Sequence, residues 1–228
     1  MHRDQRLAVV VAAVLTFGTG ALDVLVLARL GGVFASVMTG NLALMGLGLA
    51  RADVATIAHT VIAVVSYAAG VAAGSAVVGP RESEHPVWPR CVTVVLAIQL
   101  ALQVSLSVGW ALTRGAPGGV VQMVLLAMAA ASMGLQGAAV RGIGVTLATT
   151  YLTGTLTALV ANRTLSKPSR ADAAGLAALL AAVAGAACGG LTLATLPVVA
   201  PVWCLVSVVA VVVVAEWRHR HAAHYVPQ

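Results

Sequence analysis

Ser36-Val37-Met38-Thr39-Gly40-Asn41-Leu42, in the first half of the chain, returns in the second half as Thr150-Tyr151-Leu152-Thr153-Gly154-Thr155-Leu156. At the same separation Gly20 falls on Gly134. Downstream, Arg51-Ala52-Asp53 matches Arg170-Ala171-Asp172, and Ala69-Gly70-Val71-Ala72-Ala73-Gly74 matches Ala184-Gly185-Ala186-Ala187-Cys188-Gly189. Matches that keep one order along the chain indicate an internal duplication. The repeats are expected at about 7–113 and 118–217 of a single integral membrane domain, 1–228. Duplicated halves recur in membrane transporters, whose solute sites sit where the halves meet.

The membrane assignment rests on composition. The chain is 60% apolar and 9% charged, with a mean hydropathy of +0.99, whereas a soluble domain carries about 25% charged residues. Eight apolar segments can be cut at charges, glycines and prolines: 7–29, 33–50, 54–79, 88–113, 118–139, 145–162, 172–195 and 198–217. Arg3 and Arg6 ahead of the first segment imitate a signal peptide, but no cleavage site leads into a polar chain, so a retained first helix is expected. The net charge of +6 reads as topology rather than a nucleic-acid footprint, because the basic residues cluster at segment ends and in the tail. Cys91, Cys188 and Cys204 share no metal-ligand spacing and read as small buried side chains.

Segments two and six differ from the rest. Each is short, follows a glycine-containing link (Gly31-Gly32 and Gly142-Ile143-Gly144), and carries hydroxyl or amide groups. Thr39, Gly40 and Asn41 stand in one; Thr153, Gly154 and Thr155 stand in the other, with Thr146, Thr149, Thr150 and Thr157 around them. Short, Gly-interrupted segments at corresponding places in two halves point to a transporter site. Two arrangements fit an all-α polytopic helix bundle. In one, six helices span and the two Thr-Gly helices are broken or partly inserted, which makes the repeats inverted. In the alternative, eight helices span and the repeats are parallel. Both put the termini in the cytoplasm, and their cytoplasmic counts of basic residues differ by one, which decides nothing. The first is preferred, because irregular backbone at membrane depth is tolerated where it lines a cavity. Segments two and six are expected to meet at the centre of the fold.

Asp23 is the only acidic residue well inside an apolar segment. A central charge costs at least about 2.5–3.5 kcal/mol on insertion scales, so it needs a partner or a wet cavity. It reads as a cation or proton site facing Thr39-Gly40-Asn41, against the equally weighted reading of a carboxylate that ties helices together. A wet cavity is expected, with Asn41 or Gln136 in reach. Gln136 is the polar side chain nearest the equivalent level of the second half, with an interhelical hydrogen bond as its plainer role. Asp23, Thr39, Gly40, Asn41, Gln136, Thr153, Gly154 and Thr155 are thus the candidate solute or ion site.

The other features read as architecture. Gly70xxxGly74 and Gly185xxxGly189 predict close crossing of segments three and seven, with a homodimer face as the alternative. The two Arg-Ala-Asp motifs predict helix starts, where aspartate caps free N–H groups. His59 reads as a hydrogen-bonded structural histidine. Trp217-Arg218-His219-Arg220-His221, with His224, reads as an aromatic anchor and a basic stretch near anionic lipid. Every acidic residue except Asp23 lies in a tail or at a segment end, and no GxSxG, HExxH or P-loop occurs, so no enzyme, cofactor or metal is expected.

The runs Gly20-Ala21-Leu22-Asp23, Leu30-Gly31-Gly32-Val33-Phe34 and Met38-Thr39-Gly40-Asn41 resemble the YoaK-like family of bacterial membrane proteins, known as domain of unknown function 1275. Gly134-Leu135-Gln136 followed by Thr153-Gly154-Thr155 fits the same pattern across essentially the whole chain. The family usually has asparagine where this chain has Gly137. The resemblance implies a multi-pass protein of the bacterial inner membrane and implies no activity. From the residues, the expected function is a small secondary transporter or permease in membrane lipid, for an unknown solute or ion and with no nucleic acid. The alternative is a non-transporting scaffold, lipid-binding module or partner subunit.

Overall fold

A computed structural model of the chain describes residues 3–79, 88–143, 152–165 and 170–222. These form eight helices: α1 (Arg3–Arg29), α2 (Met38–Arg51), α3 (Val54–Val78), α4 (Arg90–Leu112), α5 (Gly119–Ile143), α6 (Leu152–Thr164), α7 (Arg170–Thr195) and α8 (Val202–Ala222). A short 3-10 turn, Pro197–Val199, leads into α8. Six helices (α1, α3, α4, α5, α7 and α8) are long and apolar enough to cross a membrane. At 14 and 13 residues, α2 and α6 reach only about 20 Å and fall short of a bilayer core.

Helix directions separate the two arrangements. Thr19 of α1 meets Gln136 late in α5, while the Arg29 carbonyl at the end of α1 accepts from Gln122 Nε2 near the start of α5, at 2.9 Å. The two helices are therefore antiparallel. Likewise Trp110, late in α4, donates to the Pro197 carbonyl just before α8, at 2.7 Å. At the opposite end, Val92 and Val95 share a core with Val211 and Ala215. Eight alternating spans would make each of these pairs parallel. Six spans make both antiparallel, which is the arrangement these contacts have.

The glycine faces set the helix partners. Gly70 of α3 lies on the Ala131 carbonyl of α5, and Gly134 of α5 lies on the Tyr67 carbonyl of α3. Gly185 of α7 lies on the Phe17 carbonyl of α1, and Gly20 of α1 lies on the Ala182 carbonyl of α7. A Cβ at any of these four would penetrate backbone. Both faces make the expected close crossings, though not with each other: α3 crosses α5, and α7 crosses α1. Each glycine face needs a small-residue face opposite it, and Gly134 and Gly20 supply them.

Local chemistry explains the helix ends. Ala52 adopts a left-handed φ of 54° after α2, its N–H returning to the Gly48 and Leu49 carbonyls. Asp53 then caps α3, accepting from the Ala55 and Thr56 N–H groups at 3.1 and 3.2 Å and from the Thr56 hydroxyl at 2.6 Å. These bonds hold the Asp53 carboxyl below the ordinary carboxylate value, the Thr56 hydroxyl most of all. Asp172 differs from its counterpart. It lies buried in the first turn of α7 and accepts from Asn162 Nδ2 of α6 at 2.8 Å, joining those two helices. The expected link at Gly142-Ile143 is instead the end of α5, where a Cβ on Gly142 would meet Val78 and Val92 at 2.9 and 3.0 Å. Gly144, Thr146, Thr149 and Thr150 lie outside the described residues.

Candidate functional site

Segment two is not helical from its start. Residues 33–37 form an irregular loop, and α2 begins only at Met38. Two side chains hold this loop. The Ala35 and Ser36 N–H groups donate to Asp23 Oδ1 at 2.8 and 2.9 Å, and the Ser36 hydroxyl donates to Asp23 Oδ2. From the other side, Phe34 N–H donates to Asn41 Oδ1 at 2.9 Å, and Asn41 Nδ2 donates to the Phe34 carbonyl at 2.8 Å. Backbone that leaves a helix inside a bilayer must find such partners, since lipid offers none.

Beside the loop lies a cavity of about 670 Å³. One face of α1, from Thr16 through Thr19, Gly20 and Asp23 to Leu27, forms a wall. Phe34, Ser36 and Val37 of the loop, with Met38 and Thr39 at the start of α2, form another. The start of α6 adds Leu152, Thr153 and Gly154; α7 adds Ala182, Val183 and Ala186; α3 adds Tyr67. Groups far apart in sequence, Asp23, Thr39, Thr153 and Gly154, therefore share one cavity. The short helices have their main packing elsewhere, α2 on α3 and α6 on α7, and both present residues to the cavity. The crossing of α1 with α7 fixes this spacing.

The other candidates sit elsewhere. Asn41 is fully buried and braces Phe34, and the side chain that bonds Asp23 from this segment is Ser36. Gly40 packs beneath the loop, where a Cβ would meet Phe34 and Val37 at 3.3 Å. Thr155 packs toward Gly175 of α7. Gln136 is 2% exposed and joins a polar chain through the bundle: Gln99 Nε2 donates to Gln136 Oε1 at 2.8 Å, and Gln136 Nε2 donates to Thr19 Oγ1 at 2.7 Å. It meets the cavity only through Thr19. The buried oxygens Gln99 Oε1 and Gln103 Oε1 have no donor.

Ser36, Thr16, Thr19, Tyr67 and Gln99 were missed as site or network residues. Gln99 and Gln103, four apart within an apolar helix, mark one polar stripe and were a readable signal. Tyr67 carried none. His59 behaves as expected, with Nδ1–H donating to the Ala55 carbonyl at 2.7 Å and its ring against Gly31. Gly137, where the resembled family carries asparagine, lies beside the Tyr67 hydroxyl, which a Cβ would approach to 3.3 Å. Among the described residues no group of His, Cys, Asp and Glu is placed to hold a metal ion. The side chains of His219 and His221 and the whole of His224 lie outside the described part.

The chain is 31% identical over 152 residues to the "UPF0700 transmembrane protein YoaK" of Bacillus subtilis (strain 168). That match covers 65% of this chain and 64% of the relative, less than two thirds of the relative's length. No solved structure matches. The relative's transmembrane character and the six apolar helices make this a multi-pass membrane protein. Residues 11–215 match the model of a family described as protein of unknown function (DUF1275), and the chain belongs to that family.

Proposed function

We propose that the protein is a small secondary transporter or permease of the bacterial cytoplasmic membrane, with its solute path between two inverted repeats. One observation carries this reading: a single cavity takes Asp23, Ser36 and Thr39 from the first half and Thr153 and Gly154 from the second. Sites formed by broken helices at a repeat interface are the recurring design of such carriers. The duplication is supported by the glycine contacts, since Gly70 on Ala131 and Gly185 on Phe17 pair corresponding positions. Arg3 and Arg6 at one end and Arg218 and Arg220 at the other favour cytoplasmic termini. Lipid and a small solute or ion are the partners in this reading, without nucleic acid and without catalysis. Gly70 and Gly185 serve packing within the chain, so these two positions lend no support to a homodimer.

Solute uptake into proteoliposomes, with and without a pH gradient, is the test. Asp23→Asn should abolish coupled uptake while the protein still folds. The amide oxygen can accept from Ala35 and Ser36, and the amide nitrogen can donate to the Ser36 hydroxyl. Full coupled uptake by the variant would end the assignment of Asp23. A second reading, a non-transporting scaffold, lipid-binding module or partner subunit, is favoured by the use of Asp23 and Asn41 as loop braces. It requires uptake no greater than in empty liposomes across the whole screen.

A further inference from the structure

The polar atoms of the cavity differ in what they have left to offer. The Thr16 hydroxyl donates to the Ala12 carbonyl at 2.7 Å, and the Ser36 hydroxyl donates to Asp23. Both oxygens therefore face a ligand as acceptors only. Asp23 Oδ1 receives two backbone donors, whereas Oδ2 receives one and keeps a further acceptor position. All three donors to Asp23 are neutral, so an ionised carboxylate keeps its full charge. Among the described residues no lysine, arginine or histidine lines the cavity.

We propose that the cavity binds a compact organic ammonium ion, its N–H donors on Asp23 Oδ2 and the neighbouring Ser36 Oγ and its apolar body along Leu27, Val183 and the Phe34 ring. The inference rests on the transport reading above only for its physiological purpose, because binding is separable from uptake. A bare metal ion would need about six oxygen ligands gathered around one point, whereas the oxygens here are spread along the walls, Thr16 and Asp23 alone lying about 10 Å apart on α1. An inorganic anion would face a carboxylate with no basic partner. A cavity of about 670 Å³ is larger than an inorganic cation needs and falls in the range of organic-ligand sites, about 300–1,000 Å³. The Phe34 and Tyr67 rings add faces on which a cation can rest. The starts of α2 and α6 bring partial positive charge beside the cavity, which makes a zwitterion the sharpest competing ligand.

Three probes with one apolar body separate the possibilities: phenethylamine, phenylalanine and phenethyl alcohol, each titrated at neutral pH onto the full chain in detergent. Phenethylamine should bind at least about tenfold more tightly than the other two, a ratio that equilibrium titration resolves readily. Asp23→Asn should weaken the amine by a similar factor and leave the alcohol unchanged. Val183→Trp, at an exposed lining position, should exclude the amine by filling space while the helical signal stays intact. Equal or tighter binding of phenylalanine or the alcohol would overturn the proposal, as would undiminished amine binding by a folded Asp23→Asn protein. If that variant does not fold, the order of the three probes on the unaltered chain still decides. Amine binding without uptake would sink the transport reading alone; uptake of another solute without amine binding would sink this one alone.

Discussion

Asn41 and Phe34 are joined by two hydrogen bonds, the Phe34 N–H to Asn41 Oδ1 at 2.9 Å and Asn41 Nδ2 to the Phe34 carbonyl at 2.8 Å. One buried amide thus satisfies both backbone groups of a residue that no helix serves. Asn41→Ala should destabilise the protein by about 1–3 kcal/mol, the range for stranding buried polar groups, read as a lower unfolding temperature in detergent. Asn41→Asp keeps an acceptor for the Phe34 N–H but leaves two acceptors facing at the Phe34 carbonyl, so it should not restore stability. A variant as stable as the parent would show that the loop stands without this brace.

The glycines divide into two classes with opposite expected signs. At Gly70 and Gly134 a Cβ would enter the carbonyl of the neighbouring helix, so replacement by alanine or leucine should separate α3 from α5 and lower thermal stability. Gly46 of α2 has nothing within 4 Å of such a Cβ. Gly46→Ala should instead stabilise by up to about 1 kcal/mol through helix propensity alone. Unfolding curves in one detergent check both. A tolerated Gly70→Leu would mean that the crossing is not tight.

These contacts also mark where the sequence stops being readable. Gly70 and Gly185 announce a close crossing but do not say with which helix, because a small-residue face fits any other small-residue face. Asp23 was legible, since a carboxylate among apolar residues must be satisfied somehow. Its partner Ser36 was less so: choosing it over Asn41 depends on where α2 begins, and the run 33–37 has no helix-breaking residue to mark that place. Thr39 and Thr153 were found through their recurrence. Tyr67 reaches the cavity only because α3 crosses α5, a long-range fact with no local mark.

Asp53 gives a pH signature outside the membrane span. Its carboxyl is held below the ordinary value of 3.8 by the Thr56 and Ala55 donors. A group depressed in the folded state contributes stability that is fully present above its unfolded value and is lost as pH falls through the folded one. Asp53→Ala should therefore destabilise the protein by a constant amount near neutral pH. That difference should shrink once the pH drops below the ordinary value and vanish in stronger acid. Unfolding temperatures of the two proteins measured down a pH series check this; a gap that widens in acid would contradict the cap.

The Gln99–Gln136–Thr19 chain crosses three helices, α4, α5 and α1, in the buried interior of the bundle. Gln136 is both acceptor and donor in it, so Gln136→Leu leaves the Gln99 amide with neither its nitrogen nor its oxygen bonded, the oxygen having no donor already. Hydrogen bonds between membrane helices average about 0.6 kcal/mol and reach about 1.7, and a stranded buried amide adds its desolvation to that. Gln136→Leu should therefore lower stability by about 1–3 kcal/mol. Gln99→Leu strands less, since it removes an orphaned oxygen along with the bond. The double replacement should be less damaging than the two single effects added together, because no amide is then left unpaired between α4 and α5. Unfolding free energies of the four proteins complete the cycle. Strict additivity would mean that the two glutamines act independently and that the chain linking α4 to α1 has no energetic reality.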